Sequence, residues 1–241
     1  MKFKNIPRIY IDKELKENIV FEISIQDKHY LCNVMRLKEE DRFKVFNGVD
    51  GEWVASISSR KQSMVRCISK IREQETFEGP SLYFSIIKNN NLKWMIEKVT
   101  ELGIKKLIPV ITERTIVKSI NRRKLLAHIK EASEVSDRIS LPQLEEKMTL
   151  QNVLKKIKKE KKQLIFCNEN RNDQSLFKYF SKNFKKNISF LIGPEGGFSM
   201  TEQNFLKEHK SIISVKLNDR ILRADTAAIL AISAYNCYNN I

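Results

Sequence analysis

Hydrophobic and polar positions follow one rhythm over the first seventy or so residues and another after residue 80. The early part holds short β-branched and aromatic runs, "NIVFEIS", "RFKVFN", "EWVASISS" and "MVRCISKI", divided by turn signals such as "NGVDG". These predict the strands of a small barrel. One short helix is expected over "HYLCNVMRL", where Tyr30, Val34 and Leu37 recur at helical spacing. The polar stretch "REQETFEGPS", with Gly79-Pro80, predicts a linker. Beyond it, "LYFSIIK" predicts a strand and "NLKWMIEKVTELG" a helix with Leu92, Met95, Ile96, Val99 and Leu102 on one face and Gly103 as its stop. Strands "KLIPVIT", "QLIFCNE", "ISFLIG" and "IISVKLN" then alternate with helices "RKLLAHIKEASEV", "LQNVLKKIKK", "SLFKYF", "TEQNFLKEH" and "TAAILAISAYNCY". Such alternation implies an α/β fold with a mostly parallel sheet.

Composition narrows the partners. The chain has 241 residues, 41% hydrophobic and 30% charged, the profile of a globular protein, and no segment approaches a membrane-spanning length. The opening "MKFKNIPRIYID" has no apolar leader core, so the cytoplasm is the expected compartment. Cys32, Cys67, Cys167 and Cys237 are scattered and only His29, His128 and His209 accompany them, so no metal-ligand spacing appears and no metal is expected. The net charge of +15 points to a polyanionic partner, most simply nucleic acid. The run "KKIKKEKK" at 155–162 adds less than it suggests. Leu150, Val153, Leu154 and Ile157 form the apolar stripe of that helix, which leaves the lysines as its solvated face.

Candidate chemistry concentrates in two segments near the carboxyl end. The chain holds only seven glycines, and three fall in "GPEGG" at 193–197, directly after a predicted strand. In open α/β sheets ligands bind at the carboxyl ends of strands. The spacing is neither a Walker loop nor GxGxxG. Gly196 and Gly197 allow positive φ and close backbone approach, and Pro194 stiffens the entry. Ser199 with Glu202 predicts a capping box that starts the next helix. One strand later comes "LNDRILRADTAAI", with Arg220 and Arg223 at the same predicted sheet edge, suited to an anionic or electron-rich substrate, and Asp225 or Thr226 as the helix cap.

"GPEGGFS" followed by "LNDRILRADTA" resembles the signature pair of RsmE-type small-subunit rRNA uracil-N3 methyltransferases, members of the SPOUT (trefoil-knot) superfamily. "EKVTELGIKKLIPVITERT", "EASEVSDR" and "HYLCNVMRLKEEDRFKVFNG" are similar to further blocks of that family, so the resemblance spans nearly the whole chain. Departures are Val135 for a usual Gln, Asp137 for a frequent Gly, Asn218-Asp219 for Gly-Pro, Asp225 for Glu, and Glu40 for Gly.

The resemblance implies a PUA-like β-barrel over 1–72 that contacts RNA. It implies a SPOUT domain over 73–241 with a deep trefoil knot, which binds S-adenosylmethionine and dimerises. The implied reaction is methylation of N3 of a uridine in 16S rRNA. Three loops would hold the cofactor: Cys167, Asn168 and Glu169 within "CNEN"; Leu191, Ile192, Gly193, Pro194, Glu195, Gly196 and Gly197; and Leu217, Ile221, Leu222, Arg223 and Thr226. Arg223 is the candidate for stabilising negative charge on the uracil oxygens, with Arg138 second, and Glu195, Glu134 and Asp225 are candidate bases. His29, Arg36, Lys88 and Arg114 are the candidate RNA contacts. Two other functions fit part of the pattern: a non-catalytic RNA-binding or ribosome-assembly factor, and a SPOUT methyltransferase acting on another RNA. The small residues Ala227, Ala228, Ala231 and Ala234 of the last helix suit either a subunit interface or a core.

Overall fold

The computed structural model describes residues 6–160, 162–169 and 172–239. The first five residues of the N-terminal stretch, Lys161 of the lysine run and Asn170 of "CNEN" lie outside the described residues. The chain divides into two compact units, one running to Phe77 and including Ser133–Leu141, the other made of Glu78–Ala132 and everything from Pro142 onward.

The first unit is built on strands β1 (Arg8–Tyr10), β2 (Val20–Glu22), β3 (Arg42–Phe46), β4 (Glu52–Ser59) and β5 (Met64–Arg72), with helix α1 (Ile25–His29) between β2 and β3. The sheet order is β1-β3-β4-β5-β2; β1 lies parallel to β3 and the other pairs are antiparallel. Side chains alternate as the pleat requires, Phe43 and Val45 inward, and they meet Phe21, Leu31, Val65 and Cys67 in one core. Burial pushes the Cys67 thiol up to about 11, so it stays protonated and apolar. The short strand β1 had no counterpart in the hydrophobic pattern.

The predicted helix over "HYLCNVMRL" forms differently. Ser24 caps α1 by accepting the Asp27 N–H at 3.0 Å, and the chain then passes into a π-helical turn, Tyr30–Val34, closed by Met35 N–H to Tyr30 O at 2.9 Å. Leu31 and Cys32 are buried, while Tyr30 and Val34 are exposed. The i→i+5 winding shifts which residues share a face, so of the three predicted positions only Leu37 packs against the core.

The segment 133–141 joins the first unit through Arg8. Its guanidinium pairs with buried Glu52 and donates to the carbonyls of Ser133 (2.9 Å), Glu134 (3.2 Å) and Arg138. These include the carbonyls that the end of a helix leaves without intrahelical partners.

The second unit contains β6 (Ser81–Ser85), α2 (Asn89–Glu101), β7 (Lys106–Ile111), α3 (Arg122–Val135), β8 (Gln143–Leu144), β9 (Met148–Thr149), α4 (Leu150–Glu160), β10 (Gln163–Cys167), α5 (Leu176–Asn183), β11 (Ile188–Ile192), α6 (Met200–Glu208), β12 (Ile212–Val215) and α7 (Ala224–Asn239). The last three residues of α3 fall in the first unit. The sheet order is β12-β10-β11-β6-β7-β8, β9 also pairs with β7, and every pairing is parallel. The central strand β11 is buried at all positions, as a strand covered on both faces must be. The α4 stripe Leu150, Val153, Leu154 and Ile157 is buried as predicted, each side chain contributing about 1.5–3 kcal/mol. Of the α7 alanines, Ala228, Ala231 and Ala234 are buried within this unit, where α7 packs against α2. Among the described residues, no helix is long and apolar enough to cross a membrane.

Candidate functional site

The register of the parallel sheet decides where the candidate loops meet. Cys167, the last residue of β10, pairs with Ile192 of β11 on one side and Val215 of β12 on the other. Three strand ends therefore lie side by side, and the loops leaving them close around a cavity of about 650 Å³. That volume is in the range of small-molecule sites. The exits of β6 and β7 contribute Lys88 and Asn91, and Ile116 and Val117.

Most of the predicted cofactor residues line this cavity. Cys167, Asn168 and Glu169 come from the first loop, and Ile192, Gly193, Pro194, Glu195 and Gly197 from the second. Leu217, Ile221, Leu222 and Arg223 come from the third, joined by Arg220. Leu191, Gly196 and Thr226 are not part of the lining. Leu191 points into the core cluster with Phe166 and Phe198. Thr226 lies in the first turn of α7, one residue after Asp225, whose Oδ1 accepts its N–H at 3.0 Å. The helix begins at Ala224, so Asp225 and Thr226 are first-turn residues rather than its cap. Burial pushes the Cys167 thiol well above its ordinary value, which keeps it neutral in the cavity wall.

The glycines differ in what they provide. Gly197 alone in this loop has positive φ (66°), and a Cβ there would stand 2.8 Å from Oε1 of Glu169. A Cβ on Gly193 would stand 2.6 Å from the ring of Phe198, which packs edge-on to Phe166 with centroids 5.0 Å apart. At Gly196 the nearest atom would be Cβ of Arg114 at 3.6 Å, an ordinary contact, so neither positive φ nor crowding requires glycine there.

Three clamps hold the glycine loop. Arg114 donates to the Gly196 carbonyl at 3.0 Å. Glu195 Oε1 accepts the backbone N–H of Lys88 at 3.1 Å, at the start of α2, whose N-terminus has no side-chain cap of its own. The predicted capping box is present: Ser199 Oγ accepts Glu202 N–H at 3.2 Å and Glu202 Oε2 accepts Ser199 N–H at 3.0 Å. The other oxygen of Glu202 accepts Glu113 N–H at 2.9 Å, which ties the loop after β7 to the start of α6. Sequence reasoning paired Glu202 with Ser199 but had no signal for Glu113, 89 positions away.

Charge in the cavity is mixed. Lys88, Arg220 and Arg223 are exposed along its wall, and Glu169 and Glu195 face the same space. Among the described residues no hydrogen bond or ion pair engages the guanidinium of Arg223, so it is available to a ligand. Arg138 is placed otherwise. It belongs to the first unit, where its guanidinium lies 4.5 Å from the centroid of the Phe77 ring and donates to Ser140 O at 3.2 Å; burial lowers its pKa to about 10. Glu134, also in that unit, accepts the Tyr10 N–H at 2.8 Å. Of the candidate bases, Glu195 lines the cavity, and Glu134 and Asp225 do not.

Two departures from the family pattern have a backbone explanation. Asp137 (φ 62°) and Glu40 (φ 67°) stand where glycine is usual, and both adopt the left-handed conformation that glycine enters freely. Of the proposed RNA contacts in the first unit, His29 ends α1 and Arg36 has φ 58°, and both are exposed. Lys88 and Arg114 are exposed residues of the second unit. Glu97, His128 and Glu131 bring one ligand atom each within 4.8 Å of one another, a juxtaposition of α2 and α3 that linear spacing did not reveal.

Comparison with known proteins places both units. Residues 78–236 match the family model for an RNA methyltransferase domain, and 26–64 match that for an RNA methyltransferase PUA domain. The chain is 36% identical over 230 residues to the ribosomal RNA small subunit methyltransferase E of Rickettsia conorii, covering 94% of this chain and 93% of the relative. It is 31% identical over 212 residues to the protein of the same name from Synechocystis, covering 86% of this chain and 70% of that one. Among solved structures, a putative methyltransferase of Legionella pneumophila in complex with SAM superposes with a TM-score of 0.84 at 27% identity, covering 97% of this chain and 98% of that one. With both domain models matching and the Rickettsia relative aligned over almost its full length, this chain belongs to the ribosomal RNA small subunit methyltransferase E family of SPOUT proteins.

Proposed function

We propose that this protein transfers the methyl group of S-adenosylmethionine to N3 of a specific uridine in small-subunit (16S) rRNA. The observation that carries the proposal is the cavity at the ends of β10, β11 and β12, where the glycine loop and Arg223, unengaged among the described residues, face the same space. The residues present suit the cofactor. Ile192, Leu217, Ile221 and Leu222 supply apolar walls for a planar base, and Gly193 and Gly197 let the glycine loop pack closely on Phe198 and Glu169 in the same wall. Glu169 and Glu195 offer carboxylates to a sulfonium cation. The family membership and the SAM-bound Legionella relative support the same assignment.

S-adenosylmethionine, when bound, supplies an electrophilic methyl group. The ring nitrogen that accepts it carries a proton, and losing that proton places negative charge on the flanking carbonyl oxygens. Arg223 stabilises that charge through its planar fork of donors. Glu195 is placed to take the proton: Lys88 N–H engages Oε1 and leaves Oε2 as acceptor. The rRNA is held by the first unit through His29 and Arg36 and, beside the cavity, by Lys88 and Arg114. The family resemblance adds a homodimer formed through the second unit, working in the cytoplasm. Incubating the protein with labelled S-adenosylmethionine and unmethylated small subunits, then mapping the labelled nucleotide, tests the assignment. Label at a uridine N3 of 16S rRNA is the expected result; label on another RNA, or none, overturns it.

A further inference from the structure

Asp173 lies outside every motif of the chain, yet it joins two of the three loops around the cavity. Its Oδ2 accepts Nδ2–H of Asn168 at 2.9 Å and also accepts the hydroxyl of Ser214. The carboxylate is largely buried, and Lys207 stands 3.9 Å from its other oxygen. Asn168 is buried and lines the cavity immediately after β10, with its backbone N–H on Val215 O at 2.8 Å. Ser214 is in β12, three residues before Leu217, where the third loop reaches the cavity. The main chain reinforces the junction: Lys216 N–H donates to Gln174 O at 2.9 Å and Leu176 N–H to Lys216 O at 3.0 Å. Asp173 is therefore a shared acceptor fastened between the β10 exit and the β12 exit.

The chemistry of the amide gives this junction a consequence. An asparagine offers two donors on nitrogen and one acceptor oxygen. With Nδ2 committed to a carboxylate at 2.9 Å and the Ser214 hydroxyl at 3.5 Å, Asn168 is fixed in one flip state. Among the described residues nothing donates to its Oδ1, which can meet a ligand only as an acceptor. We infer that Asp173 is a positioning residue for cofactor binding, which locks Asn168 as an acceptor for a hydroxyl or amino donor of the nucleoside and keeps the β10 and β12 loops in register. This inference rests on the S-adenosylmethionine reading of the cavity. A buried charged hydrogen bond is stronger than a neutral one, so the lock suits a carboxylate.

Calorimetry with S-adenosylmethionine and single-turnover kinetics on the full-length protein separate the possibilities. If the wild-type protein does not bind S-adenosylmethionine, the cofactor reading itself fails. If it binds, Asp173→Ala is expected to weaken affinity about tenfold or more and raise KM for the cofactor in step, while turnover at saturating cofactor changes by less than about threefold. Asp173→Asn keeps an acceptor for Asn168 Nδ2 and is expected to recover most of the affinity. Wild-type affinity in a folded Asp173→Ala protein overturns the inference, as does a loss of turnover matching the loss of affinity. An Asp173→Asn protein as impaired as the alanine variant overturns it too. Should the alanine variant not fold, Ser214→Ala removes one donor to Asp173 and the longer contact of Asn168 Nδ2, and leaves the 2.9 Å bond between Asn168 and Asp173. A loss of severalfold in affinity is expected there, and an unchanged affinity overturns the inference.

Discussion

Adding one methyl group to each of two adjacent glycines separates backbone need from mere proximity. Gly197→Ala forces a side chain into left-handed backbone and against Glu169, which costs about 1–2 kcal/mol and displaces a cavity carboxylate. Gly196→Ala meets only an ordinary contact with Arg114 and should stay within about 0.5 kcal/mol of the parent. Melting curves with and without S-adenosylmethionine check both; a destabilised Gly196→Ala with an unaffected Gly197→Ala would reverse the assignment. Arg223 carries the second prediction. Among the described residues its guanidinium has no partner to lose, so Arg223→Ala should keep its melting temperature and most cofactor affinity, yet lose on the order of a hundredfold in single-turnover rate. Arg223→Lys should restore only part, since an ammonium lacks the planar fork. Parallel losses of affinity and rate would instead make Arg223 a cofactor ligand. At this scale the sequence was informative where chemistry sits in a contiguous motif: the glycine loop and the loop after β12, two of the three that close around the cavity, were legible. It was silent where a residue acts across the fold. Arg138 lies in a block resembling the family, but contacts with Phe77 and Ser140 engage it in the first unit, and Asp173 sits in no motif at all.

Among the elements, α6 shows how a local signal becomes a tertiary one. Its capping box was legible from Ser199 and Glu202, three apart, but the same carboxylate also receives Glu113 N–H and so fixes the loop carrying Arg114. Glu202→Ala leaves the Ser199 cap in place but removes the reciprocal half of the capping box, leaving the buried Ser199 N–H and the part-buried Glu113 N–H unpaired, a loss of about 2 kcal/mol or more in chemical denaturation. Glu202→Gln, which retains one acceptor oxygen, should lose less, and equal losses would show that the capping contacts contribute nothing. The β8–β9 connection supplies a pH test. Burial acts to raise the Glu145 pKa, but the hydrogen bond and charge of Lys156, with Lys106 at 3.4 Å, outweigh it and hold the carboxyl below its ordinary value of 4.5. A carboxyl depressed in the folded state stabilises the fold fully above its unfolded pKa, and that contribution disappears as pH falls through the folded value. Acid titration of stability should therefore be shallower in Glu145→Gln than in the parent below pH about 4.5, and identical slopes would remove Glu145 from the acid transition. Amphipathic helices of the second unit were legible because each buries one repeating face, and central strands such as β6 and β11 because each is a short, largely apolar run. The π-turn after α1 was not, since i→i+5 winding has no signature in a 3.6-residue pattern. Nor was the return of 133–141 to the first unit, which depends on Arg8 meeting carbonyls more than a hundred residues away.

For the whole molecule the governing quantity is the net charge of +15. The lysine run of α4 shows why the total alone does not locate a binding surface: Lys155, Lys158 and Lys159 are solvated, while Lys156 is tied to Glu145. Charge that meets phosphates has a thermodynamic signature that solvated charge lacks. Each neutralised phosphate releases condensed counterion, so log K falls linearly with log salt, with a slope of about −0.7 per contact on single strands and −0.9 on duplex. A footprint of about five phosphates therefore gives a slope between about −3.5 and −4.5, a loss of more than a hundredfold from 50 to 200 mM salt. Filter binding or anisotropy on a small-subunit rRNA fragment, with the full-length protein, measures it directly. Arg223→Ala provides the internal comparison. One arginine facing a base changes the slope by at most about 1, whereas its effect on methyl transfer is on the order of a hundredfold. A steep slope retained in Arg223→Ala, together with lost turnover, separates holding the RNA from acting on it and assigns them to different residues. A flat slope in the parent protein would mean that the excess lysine serves solubility alone, and that base and shape contacts hold the substrate without the help of charge.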